Sequence, residues 1–207
     1  MTAVTPTETT EAVEAAGTAG TAAAAEAVRI TRLDPEELPA HLPGLAELLA
    51  DAVDGGASVG FLAPFDRDAA RTWWETQLPD LTAGHRQLWI ARDGDRVLGT
   101  IGLVPERKPN GRHRAEIVKL MVHRTARGRG LARALLATAE RAAADLGATL
   151  LILDTETDSP AEHLYRRAGW IPYGLLPDHA ARPDGTLAAT TFFRKPLTPR
   201  TSLTPPA

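Results

Sequence analysis

Residues Leu120 to Ala132, reading LMVHRTARGRGLA, carry the strongest chemical signal in the chain. Gly128 and Gly130 stand just ahead of a segment whose apolar residues Leu131, Leu135, Ala139, Ala142 and Leu146 recur at helical spacing. The first amides of a helix have no intrahelical partner, and residues without side chains let a ligand reach them. Such a turn is an anion site, sized for a pyrophosphate. Arg127, Arg129 and Arg133 add positive charge for further phosphates. Three readings compete. A glycine-rich turn can simply open a helix beside solvated arginines. A dinucleotide fingerprint would use Asp154, at the end of the next apolar strand, on a ribose. Against it, Arg133 stands where a third glycine belongs, and five residues separate Val122 from Gly128. A nucleotide P-loop fails outright, because no Gly-Lys-Ser/Thr occurs.

The elements that must hold this turn follow from patterning. Val28 to Leu33 alternates as a strand; Asp34 and Pro35 then open a helix toward Val53, with breaks expected at Pro39 and Pro43. A second helix fits Asp66 to Leu78, with a turn near Pro79 and Gly84. Gln87 to Arg92 and Arg96 to Val104 read as strands joined by Asp93-Gly94-Asp95, a hairpin signal. After a polar loop come a strand (115–122), a helix (130–146), a strand (150–153), a short helix (159–168) and two strands (171–176 and 187–194) about the turn 182–185. The order β-α-α-β-β-β-α-β-α-β-β, about seven strands with four helices, implies one α/β domain with a mixed sheet. Residues 28–197 form that domain, and the tails 1–27 and 198–207 are too poor in large apolar residues to fold.

Composition narrows the function. The chain has 207 residues, a formal charge of −3 and no cysteine, which excludes disulfides, thiolate metal sites and a cysteine nucleophile. The near-neutral balance argues against a nucleic-acid partner. No apolar run approaches the ~20 residues of a membrane span, and no Lys or Arg precedes Arg29, so neither a membrane partner nor a secretory leader is expected; the expected location is cytoplasmic. His41, His85, His113, His123, His163 and His179 show no metal-ligand spacing, and most read as surface residues.

Arg127-x-x-Gly130-x-Ala132 resembles the Gln/Arg-x-x-Gly-x-Gly/Ala signature of the Gcn5-related N-acetyltransferases, where it binds the pyrophosphate of acetyl-CoA. Leu164-Tyr165-Arg-Arg-Ala-Gly169-Trp170 resembles that family's LYxxxGF element, and the element order resembles its fold over nearly all of 28–197. The tract Leu153-Asp-Thr-Glu156, Ser159, Glu162, Tyr165 and Pro183-Asp184-Gly185 is further similar to the tabtoxin-resistance type. The resemblance implies that Arg127, Gly128, Arg129, Gly130, Leu131 and Ala132 hold acetyl-CoA as acetyl donor, with no metal. It also implies that the main chain of Leu120, Met121 and Val122 pairs with the pantetheine arm. Where the family often has an Asn contacting the cofactor, this chain has Asp158, and Ser159 is the expected substitute.

The implied reaction is direct N-acetylation of a small amine. An antimetabolite or antibiotic, acetylated for self-protection, is the expected acceptor, and a homodimer the expected assembly; a protein lysine or N-terminus, or an acyl-CoA sensor without turnover, is the alternative. An amine of pKa about 10.4 is neutral in roughly one molecule in 2,500 at pH 7, a cost of ~4.6 kcal/mol, so a general base is useful. Glu116, 11 residues before Arg127, matches the family's catalytic glutamate; its bland alternative is an ion pair with Arg114 or a helix arginine. Asp154 ends its strand, a position that favours sites, and ranks ahead of Glu116. Tyr165 resembles the family's donor to the CoA sulfur. Phenol is a weaker acid than a thiol by ~2 kcal/mol, so a hydrogen bond is expected rather than full proton transfer. For the acceptor amine, Asp51, Asp54, Asp66, Asp68, Trp73, Trp74, Glu75, Asp178, His179 and Asp184 supply acids and aromatic walls, or else a solvated helix face over a Trp-anchored core.

Overall fold

The computed structural model describes residues 28–198, so the expectations for 1–27 and 199–207 lie outside the described residues. Seven strands form one sheet in the order β1-β2-β3-β4-β5-β7-β6. They are β1 (Arg29–Arg32), β2 (Gln87–Asp93), β3 (Arg96–Pro105), β4 (Arg114–Val122), β5 (Leu150–Glu156), β6 (Ile171–Ala181) and β7 (Leu187–Pro196). Only β4 and β5 run parallel. A dinucleotide fold needs a mostly parallel, doubly wound sheet, so that reading is excluded.

Helices cover both faces. On one side lie α1 (Leu38–Asp54), α2 (Arg67–Glu75) and the one-turn α3 (Leu78–Thr82); on the other lie α4 (Leu131–Asp145) and α5 (Pro160–Arg167). The breaks expected in α1 do not occur. Pro39 falls in the first turn, where a missing N–H costs nothing. Pro43 removes one bond, and buried Leu38, Leu42, Leu45, Leu48 and Leu49 hold the helix regardless. The helix expected over 66–78 stops at Glu75. Asp66 caps its start by accepting from the Ala69 amide (2.8 Å), and Pro79 opens the short α3 instead of a turn. The hairpin turn at Gly94-Asp95 forms as expected, with Asp93 paired to Arg96.

Each face has its own core. Leu135, Leu136, Ala139 and Ala143 of α4 pack with Ile117, Leu151, Leu153, Trp170 and Phe193. Leu45, Leu49, Trp74 and Leu81 pack with Leu88, Ile90 and Met121 on the opposite side. Trp74 is wholly buried and donates from Nε1 to the Leu45 carbonyl (3.0 Å), fixing α2 on α1. Truncating such a side chain costs ~3–5 kcal/mol. Trp74 is therefore a core anchor and not a wall for a substrate.

Candidate active site

Two irregularities in the sheet build the site. The β4–β5 ladder runs only from Arg114↔Leu150 to Glu116↔Ile152. Beyond it β4 stays with β3 and β5 with β7, so the sheet opens between them. The second irregularity is a bulge in β4: Thr100 faces Met121 while Gly102 faces Val118, leaving one extra residue on β4 at Lys119–Leu120. Lys119 takes the left-handed conformation (φ 52°) that this requires. The bulge inverts the alternation. Ala115, Ile117, Leu120 and Val122 face the α4–α5 core, whereas Met121 lies in the α1–α2 core and Lys119 contacts Phe61 and Trp73 on that side.

On the α4 side the glycine turn is open. Gly128 and Gly130 both have φ +77°, and a Cβ on either would meet nothing within 4 Å. The first bond of α4 runs from the Ala134 amide to the Gly130 carbonyl (3.1 Å), so the amides of Leu131, Ala132 and Arg133 precede it without an intrahelical partner. Arg129 and Arg133 are exposed and bonded to no described residue. Arg127 differs from expectation: its Nε donates to the Val122 carbonyl (3.2 Å), bracing the turn against β4. Asp51 accepts from both the amide and the guanidinium of Arg124, tying the approach to the turn onto α1.

Tyr165 rises from α5 among Trp170 (ring centroids 5.9 Å) and Phe193 (6.1 Å), 6% exposed. No described residue hydrogen-bonds its hydroxyl. Burial, and then the charge of Asp154, push the phenol well above its ordinary value, so it keeps its proton. Ser159 is engaged locally. Its hydroxyl accepts from the Glu162 amide (3.1 Å) and Glu162 accepts from the Asp158 amide, a reciprocal cap on α5. Asp158 holds φ 60° beside it.

On the opposite face much of the expected acidic wall is spent on other partners. Asp51 and Asp54 bind Arg124, Asp66 caps α2, Glu75 pairs with Arg71 (3.0 Å) and Asp184 accepts from the Thr186 amide (2.9 Å). Trp73 does line the site, but the cation over it is the protein's own: Lys119 Nζ stands 5.2 Å from its ring and 5.4 Å from Phe61. His179 packs edge-on to Phe192 (5.2 Å), which is paired to Asp154 across β5–β7. Of the six histidines, most of them expected at the surface, His123 is 8% exposed beneath the turn.

Glu116 and Asp154 lie on this face, two steps apart on diverging strands. Neither makes an ion pair or a hydrogen bond to a described residue. Arg114 pairs with Glu106 (2.9 Å), so the structural alternative for Glu116 fails. Glu116 is half-buried and Asp154 exposed. Burial first, and Asp154 second, raise the Glu116 carboxyl above the ordinary glutamate range, with Arg86 and Lys119 opposing. Sequence reasoning missed Arg86 and Lys119. A lysine inside the otherwise apolar run IVKLMV was the available signal. Among the described residues no cluster of His, Asp or Glu could hold a metal ion, and no helix is long and apolar enough to cross a membrane.

The fold is shared with known proteins. Residues 47–170 match the model of the acetyltransferase (GNAT) family. The chain belongs to that family. N-acetyltransferase 8B of Rattus norvegicus is 32% identical over 111 residues, 47% of this chain and 50% of its own length. The chain thus spans about half the length of the curated relatives it matches. Ribosomal-protein-alanine N-acetyltransferase from Brucella melitensis superposes with a TM-score of 0.65 at 26% identity, covering 82% of this chain and 99% of that one. The Salmonella typhimurium protein yncA, solved with its cofactor acetyl-CoA, gives 0.66 at 20% identity over 84% and 96%, a likeness of fold.

Proposed function

We propose that the protein is an acetyl-CoA-dependent N-acetyltransferase that moves the acetyl group directly onto the amine of a small molecule. The observation that carries this reading is the gap between β4 and β5, with an open anion turn on one side of the sheet and two unpaired carboxylates on the other. Residues 128–133 would hold the diphosphate, and the free edge of Leu120 to Val122 the pantetheine arm. The donor, when bound, supplies an activated thioester; the remaining work falls to the chain. Glu116 takes the proton from the incoming ammonium. Burial and Asp154 raise its carboxyl above the ordinary glutamate range and make it the stronger base, and for this it replaces Asp154 as first choice. Asp154, exposed at the mouth of the gap, attracts the amine. Tyr165 keeps its proton and donates a hydrogen bond to the departing sulfur. The freed amine attacks the thioester carbonyl; the C–N bond forms as the C–S bond breaks, and the nitrogen's second proton passes to the departing thiolate, which leaves as a thiol.

The tract from Leu153 to Gly185 also supports the tabtoxin-resistance likeness, and with it acetylation that inactivates a harmful small molecule. An assay of thiol release over an amine panel, with calorimetry of acetyl-CoA binding, tests the proposal. Turnover on a small amine supports it. Binding of acetyl-CoA without turnover on any amine would turn the reading toward a sensor.

A further inference from the structure

The acceptor face holds two cations and two carboxylates that are close but unpaired. Lys119 and Glu116 share the α1–α2 face of β4 because of the bulge, and Asp154 faces the same space from β5. Lys119 spends its ammonium on a carbonyl, Val59 O at 2.8 Å, and on two aromatic faces. Arg86 lies immediately before β2, near enough to interact electrostatically with Asp80 first, then with Glu116, and with Lys119. Its Nε and Nη1 are buried and have no hydrogen-bond partner.

Elsewhere this chain joins such groups directly: Lys195 to Glu140 at 2.7 Å, Arg166 to Glu162 at 2.6 Å, Arg114 to Glu106 at 2.9 Å. A buried donor left without a partner is costly, so its persistence calls for an explanation. A structural role would close these charges onto one another. A site for a simple cation would carry the carboxylates alone, because Lys119 and Arg86 repel an ammonium ion. Both signs held open at one sheet gap match a ligand that carries both.

We infer that the acceptor is an amine with an acidic group beside it, an α-amino-acid-like zwitterion, whose carboxylate is held by Lys119 with Arg86 behind it while its amine faces Glu116 and Asp154. This inference rests on the acetyl-transfer reading above and narrows its substrate. The aromatic seat of Lys119 fixes the ammonium without neutralising it, which keeps its charge for the ligand.

Matched acceptors test it: an α-amino acid such as phenylalanine, its amide and its decarboxylated amine, each followed by thiol release. The free acid should exceed both others in kcat/KM by tenfold or more, chiefly through KM. The amide's amine is the less basic, so any such preference arises against intrinsic reactivity. Lys119→Met, which keeps an apolar stem against Phe61 and Trp73, should bring the ratio to near one, with acetyl-CoA binding by calorimetry unchanged; Lys119→Arg should retain the preference. The wild-type comparison needs no variant, so a misfolded mutant cannot shield the inference. Equal turnover of all three acceptors overturns it while leaving acetyl transfer intact. Loss of turnover on every amine, including peptides and polyamines, overturns both.

Discussion

The two sides of the β4–β5 gap are built by different means. The α4 side is main chain: glycines at φ +77°, helix amides and a strand edge, with side chains held out of the way. The α1–α2 side is side chain: Arg86 from before β2, Glu116 and Lys119 from β4, and Asp154 from β5 come from three separate stretches and meet through sheet register. A diphosphate is constant, and a preorganised backbone recognises it by dipole and shape alone. An acceptor varies between enzymes, and changing it requires only surface substitutions that leave the turn untouched. One side is a fixed socket, the other an adjustable one.

The sharpest way to break this contrast is Gly130→Val. No neighbouring atom obstructs the new side chain, but it would strain the left-handed position by ~1–2 kcal/mol and fill the anion turn. Acetyl-CoA binding should fall below detection by calorimetry while the circular dichroism spectrum is retained; normal binding would remove the socket assignment. Next, Glu116→Gln should lower kcat/KM by about 10²–10³ and abolish the acidic limb of its pH profile, with acetyl-CoA affinity intact. It should also stabilise the protein at neutral pH. The folded state binds the Glu116 proton more tightly than the unfolded chain does, so stability falls as pH rises through and above the carboxylate range. Glutamine removes that slope, and thermal melts at pH 5 and pH 8 would read it. A pH dependence identical to wild type would deny the perturbed carboxyl.

Tyr165→Phe should reduce kcat by roughly 10-fold to 100-fold, with acetyl-CoA affinity and melting temperature close to wild type, since the lost hydroxyl has no partner among the described residues. Equal losses in rate and affinity would make Tyr165 a packing residue. The smallest effect belongs to Ser159→Ala. As a helix cap it should cost about 1 kcal/mol of stability, read from chemical denaturation, without changing acetyl-CoA affinity. Weakened binding with unchanged stability would return Ser159 to the cofactor side.

Legibility in the sequence divides along the same line. The turn 127–132, the helix behind it and Tyr165 were readable because each is local: glycine spacing, helical period and a motif on one helix. Pro39 and Pro43 misled because propensity is a local cost and five buried leucines in α1 outweigh it. Acids at Asp51, Asp54 and Glu75 misled for the opposite reason. Arg124, the partner of Asp51 and Asp54, lies far along the chain, while Glu75 pairs with Arg71 one turn away on its own helix; both pairings withdraw the acids from the site.

The order of residues by itself determined where an open glycine turn begins a helix, which strands and helices flank that place, and that no cysteine is available for chemistry. All of these depend on neighbours in the chain and on residue type. Only the tertiary structure decided which charges face the acceptor. One extra residue in β4 moves Lys119 to the side of Glu116, and a ladder that stops at Ile152 opens the sheet beside both. Register has a period of two, so a single-residue bulge reverses which face a side chain serves, and no local pattern announces it.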